Sequence, residues 1–105
     1  MTMAESSTEA VARVDELAPG TLLEVAVGGR PVLLANVGGR IFAVDGVCTH
    51  EDAQLVDGYL EDETVVCPWH LSRFCLRTGE VLNDPAEAPI GTRSIRVVDG
   101  AIFVD

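Results

Sequence analysis

The sequence predicts an all-β domain: a small antiparallel β-sandwich base interrupted by an insert that carries the chemistry. Three observations support this. Short Val- and Ile-rich runs recur at close intervals. Gly-Gly and Asp-Gly pairs separate them, and such pairs favour tight hairpins because glycine takes positive φ without steric cost. No long segment carries an apolar stripe with helical period.

The elements follow in chain order. The first ten residues, MTMAESSTEA, hold too little apolar surface to join a core and are expected to form a loose tail (1–10), leaving one domain over 11–105. Val11–Val14 is a first short strand, followed by a single helical turn near Asp15–Leu17 before Pro19-Gly20. Leu22–Val27, Val32–Val37 and Arg40–Val44 are strands joined through Gly28-Gly29 and Gly38-Gly39. Strand-like sequence resumes at Thr64–Cys67, and Ser94–Val98 and Ala101–Val104 form a closing hairpin across Asp99-Gly100. The chain of 105 residues fits one domain.

Charge narrows the partners. Seventeen acidic residues face seven basic ones, all Arg, for a formal net charge of -10. A field of that sign repels nucleic acid and anionic lipid and suits docking on a positive protein surface. No run of about 18 apolar residues suggests a membrane span, and no charged n-region precedes an apolar stretch at the start. The expectation is therefore a cytoplasmic protein with reduced thiols.

The stretch 45–75 is different from its flanks. It holds all three cysteines, both histidines, the single Trp and the single Tyr, with seven acids against one base, Arg73. Within it stand Cys48-Thr49-His50 and Cys67-Pro68-Trp69-His70, with sixteen residues between His50 and Cys67. Each motif offers one thiolate and one imidazole, so Cys48, His50, Cys67 and His70 are candidate ligands of one metal centre. Unrelated buried cysteines and structural histidines are the plain alternative, and a Cys48–Cys67 disulfide another. A zinc site draws on the same donors, but its commoner motifs pair cysteine with cysteine and histidine with histidine. A [2Fe–2S] cluster with two cysteines on one iron and two histidines on the other matches motifs that each mix the two types.

The segment CTHEDAQLVDGYLEDETVVCPWHLSRFCLRTGEV, preceded by IFAVDGV, resembles the cluster-binding region of Rieske proteins. It is most similar to the small Rieske ferredoxins of bacterial multicomponent aromatic-ring dioxygenases of the biphenyl and carbazole types. The resemblance implies a Rieske fold with an inserted cluster-binding subdomain and one Rieske-type [2Fe–2S] cluster. Cys48 and Cys67 would hold the buried iron, and His50 and His70 the outer one. It implies a one-electron carrier, not an enzyme, that receives electrons from a flavin-containing reductase. The carrier would then dock near His50 and His70 on a terminal oxygenase, as a monomer. Service to a monooxygenase, or a place as the Rieske-like small subunit of assimilatory nitrite reductase, are the alternatives. The terminal oxygenase itself is disfavoured, since both histidines are already assigned and a mononuclear iron needs two more and a carboxylate.

Departures from the family pattern carry expectations of their own. Respiratory-complex Rieske proteins brace the loops with a disulfide at positions that are Ala53 and Trp69 here, so that brace is absent. Phe74 replaces a tyrosine that hydrogen-bonds a ligand sulfur, which lowers the reduction potential, while Ser72 remains able to donate. Leu71 follows His70 where the family often has glycine, a change expected to alter the loop turn or to offer an apolar contact to a partner. Trp69 is assigned to loop packing or docking, Pro68 to shaping the loop, and Cys75 to a small buried residue. Asp84-Pro85 and Ala88-Pro89 mark a rigid loop without chemistry. The metal readings part on composition. Purified protein should be red-brown with about two iron and about two sulfide per chain; a colourless protein with one zinc would reverse the reading.

Overall fold

The structure, a computed structural model, describes residues 9–48, 53–68, 71–83 and 88–105. Of the sequence expectations, those on residues 1–8, Trp69 and Asp84-Pro85, and the histidines His50 and His70, lie outside the described residues.

Among the described residues ten short strands form three antiparallel sheets: β1 (Ala12–Arg13), β2 (Leu22–Val27), β3 (Arg30–Val37), β4 (Arg40–Asp45), β5 (Tyr59–Glu61), β6 (Thr64–Val66), β7 (Arg73–Cys75), β8 (Thr92–Arg93), β9 (Ile95–Val98) and β10 (Ala101–Val104). Their orders are β1-β10-β9, β2-β3-β4-β8 and β5-β6-β7. The three expected hairpins are present. Gly28-Gly29, Gly38-Gly39 and Asp99-Gly100 all take positive φ and connect strands whose last and first residues pair directly. The turn after β1 is a 3-10 turn at Val14–Glu16, one residue earlier than expected, capped where Glu16 accepts from the Arg13 amide (2.8 Å).

The β2-β3-β4-β8 sheet is the centre of the molecule because both of its faces are covered. Alternate residues of β3 point to opposite sides. Val32 and Leu34 join Val27, Ala43, Ala12, Leu17, Ile102 and Val104 in the core shared with the terminal sheet. Leu33 and Ala35 join Val44, Cys48, Leu55, Val65, Cys67, Phe74, Leu76 and Ile90 in the core shared with the insert. A strand buried on both faces is apolar throughout, which is why β3 reads as a continuous run rather than an alternating one. Asn36, buried at its end, donates to Leu17 O (2.8 Å) and accepts from the Gly39 amide (2.7 Å), so its polar group is satisfied.

The insert is a sheet in its own right, with strands β5 and β7 flanking the expected β6. It is fastened back to the base through Gly79. The Gly79 carbonyl accepts from the Ile90 amide (2.9 Å), and Gly79 lies at φ +79. A Cβ there would collide with the Ile90 carbonyl oxygen. Among the described residues no helix is long and apolar enough to cross a membrane. Gly79→Ala should therefore destabilise the protein by about 3 kcal/mol, from the left-handed backbone and the collision together. Gly38→Ala, at φ +61 with nothing near its Cβ, should cost only about 1–2 kcal/mol. Urea midpoints at unchanged m-value would check the difference.

Candidate metal centre

Two hairpin stems meet the insert-side core, and they are built alike. In the first, Gly46 O accepts from Leu55 N–H (2.9 Å), Val47 pairs with Gln54, and Cys48 N–H donates to Ala53 O (2.9 Å). In the second, Val66 pairs with Arg73 and Cys67 N–H donates to Ser72 O (2.8 Å). Each cysteine therefore stands at the last paired position of a stem, bonded to the residue five further on, with four tip residues beyond it, 49–52 and 68–71. The motifs CxH and CxxH differ in spacing, yet the loops that carry them are the same size. Spacing alone did not reveal this.

The two candidate thiols are 2% and 1% exposed and belong to one apolar cluster with Ala53, Leu55, Val65, Phe74 and Leu76. Among the described residues no disulfide joins any of the cysteines. Two buried, unbridged thiols in a water-poor setting fit the sulfur side of an iron–sulfur cluster. Ser72 is buried beside Cys67 in the same stem, and Phe74 is wholly buried, so its ring serves the core. Half-buried Pro68 begins the second tip. Cys75 departs from expectation. It is half-buried on β7 rather than enclosed, and the Thr78 hydroxyl beside it draws its thiol below the ordinary cysteine range against the opposing effect of burial.

Leu71 also departs from one of its two expected roles. It takes φ +61, the region glycine occupies readily, so the bulky residue leaves the turn in a left-handed conformation. Its side chain is 48% exposed, as is that of Leu82 at 50%. The Leu82 amide donates to Arg73 O (2.8 Å), which sets this second leucine on the strand edge next to the loop.

Electrostatics around the insert are partly self-neutralised. Arg73 Nε donates to Glu61 Oε1 (2.9 Å) across the small sheet, and Arg77 Nη2 donates to both oxygens of Glu63 (2.6 and 2.8 Å). The hydrogen bond from Arg73 holds the exposed Glu61 carboxyl below its ordinary range. Asp57, Asp62 and Glu80 stay exposed.

Comparison with known proteins gives a consistent answer. The profile of the Rieske [2Fe–2S] domain matches residues 7–98. The ferredoxin component of biphenyl 2,3-dioxygenase from Rhodococcus jostii (strain RHA1) is 41% identical over 86% of this chain and 84% of its own. The solved ferredoxin of carbazole 1,9a-dioxygenase from Nocardioides aromaticivorans IC177 superposes with a TM-score of 0.87 at 32% identity, covering 93% of this chain and 97% of that one. A ferredoxin-sized chain in a solved complex of reduced oxygenase and oxidized ferredoxin of carbazole 1,9a-dioxygenase superposes with a TM-score of 0.85 at 31% identity, over 90% and 89% of the two chains.

The Glu61–Arg73 pair yields a pH test. A carboxyl lowered in the folded state adds stability that is present at neutral pH, above its unfolded value, and disappears as pH falls through its folded value. Glu61→Gln should lower the urea midpoint slightly at neutral pH and not at strongly acidic pH, and the gap should narrow with salt because the pair is exposed. A gap independent of both pH and salt would contradict the assignment.

Proposed function

Because this chain belongs to the Rieske [2Fe–2S] domain family, we propose that it is a one-electron carrier, taking electrons from a flavin-containing reductase and delivering them singly to the terminal oxygenase of an aromatic-ring dioxygenase system. One Rieske-type [2Fe–2S] cluster is the family's cofactor, and it supplies reversible one-electron chemistry when bound. On this reading Cys48 and Cys67 hold the inner iron and His50 and His70 the outer one. The observation that carries it is the repeated stem, which delivers two buried thiols from equivalent positions into one apolar cluster.

The chain's own residues have separable tasks. Ala53, Leu55, Val65, Phe74 and Leu76 keep water from the sulfur side. Neutral imidazoles in place of two thiolates remove negative charge from the centre and make it easier to reduce than an all-cysteine ferredoxin. The exposed Leu71 and Leu82 offer apolar contact beside the loop that carries His70. The acids not paired with arginine leave a negative surface for a positive partner. With both histidines committed to the cluster, no histidine is left for an oxygenase iron, which supports a carrier role rather than catalysis. The same reading makes the protein a cytoplasmic monomer, with its domain over 11–105, a tail at 1–10 and the cluster-bearing insert at 45–75.

Electron paramagnetic resonance of the dithionite-reduced protein should show the low average g value of mixed nitrogen and sulfur ligation. His50→Ala and His70→Ala should each bleach the visible colour. Reconstitution with a reductase and an oxygenase of this class should couple reduced nicotinamide oxidation to ring hydroxylation only when the chain is added. Its rate should fall as rising ionic strength shortens the Debye length from about 30 Å to about 8 Å. A wild-type protein that folds without iron, or a relay that runs equally well without this chain, would overturn the proposal.

A further inference from the structure

The second hairpin tip ends on a conformational problem. Leu71 is a branched, non-glycine residue at φ +61, and its side chain, 48% exposed, gains little from packing inside the chain. Something else must hold the backbone there. The β7 strand is followed by a turn that brings residues 80–83 back along its edge. Cys75 N–H donates to Glu80 O (2.8 Å), Phe74 pairs with Val81, and Leu82 N–H donates to Arg73 O (2.8 Å). That ladder stops one residue short of the loop. At the next position the side chain of Asn83 takes over from the backbone. Its Oδ1 accepts from Arg73 N–H (2.7 Å), and its Nδ2 donates to Leu71 O (3.3 Å).

A carboxamide carries the same donor and acceptor as a peptide group, so it can continue a ladder where the main chain has turned away. We propose that Asn83 is a positioning residue for the second loop: its carboxamide, bonded at once to Leu71 O and Arg73 N–H, holds Leu71 in the left-handed region and thereby fixes the run that carries His70. This rests on the reading of His70 as a cluster ligand. In this role Asn83 acts through the backbone on either side of Ser72 and not through a ligand atom.

Four holoproteins test it: wild type, Asn83→Ala, Leu71→Gly and the double variant, with Asn83→Asp as a fifth. Three readouts apply: the first-order rate at which the visible cluster absorbance is lost, the resonance line shape of the reduced protein, and hydrogen exchange of the peptide covering residues 71–73. Asn83→Ala should speed cluster loss about tenfold, broaden the resonance and hasten exchange. Asn83→Asp keeps the acceptor for Arg73 N–H but sets an oxygen against Leu71 O, so it should not rescue. Leu71→Gly in the Asn83→Ala background should return all three readouts to within about twofold of wild type, because glycine needs no clip at positive φ. An Asn83→Ala protein within about twofold of wild type in rate and exchange overturns the proposal. So does a defect that Leu71→Gly leaves in place, since the residue would then act elsewhere. A wild type without the mixed-ligand resonance would refute the ligand reading instead, and the exchange arm would still decide whether Asn83 holds the loop.

Discussion

Two backbone hydrogen bonds, from the amides of Cys48 and Cys67 to the carbonyls of Ala53 and Ser72, are the constraint on which the centre depends. Each closes a hairpin stem at the residue that must point inward. Side chains alternate along a paired strand, so a slip of one residue in either stem would turn its cysteine from the apolar core toward the opposite face. The net worth of one such bond is only about 0.5–1.5 kcal/mol, but register is an all-or-none property of the stem. The equal stems therefore secure the inward direction of both thiols, while the composition of each tip is left free to differ.

The stems need a stiff mount, and the central sheet provides it. Because β3 is buried on both sides, Leu33 and Ala35 cannot move without disturbing Val32 and Leu34, and the terminal sheet and insert are coupled through one strand. Cys48 lies just beyond β4 in the chain, and Cys67 directly follows β6. One thiol is thus carried by the base and the other by the insert, and Ile90 and Gly79 tie the two together. A centre built across that seam rests on packing from both layers rather than on a loop alone.

What could be read in advance follows the range of each signal. The three glycine-bearing hairpins were legible because positive φ at the turn leaves a compositional mark. Strands β5 and β7 were not, since Tyr59–Glu61 and Arg73–Cys75 are three residues long and owe their state to the ladder with β6. The hairpin between β5 and β6 turns on Asp62 at φ +54 followed by Glu63, without the glycine that would have announced it. Cys48, His50, Cys67 and His70 stood out together as candidate ligands because each motif mixes one cysteine with one histidine, and the resemblance supplied which iron each would hold. Equal tips, and the half-buried position of Cys75, depended on pairings that no local pattern encodes. Asn83 was silent for the same reason: its partners lie ten and twelve residues away.

The energetics of Leu71 bear on why its side chain is left exposed. A non-glycine residue in the left-handed region costs about 1–2 kcal/mol. Two hydrogen bonds from one side-chain amide return about 0.5–1.5 kcal/mol each, less where water competes. The loop is therefore held near balance rather than locked. The leucine gains little by burial within the chain, being 48% exposed with Leu82 at 50% on the neighbouring edge. Its apolar surface becomes favourable only when another surface covers it, at about 25 cal/mol per Å². A small apolar contact of this kind, set in a surface of strong negative charge, suits an electron carrier whose docking is transient. Long-range attraction brings the partner close, and a modest buried area lets it leave again.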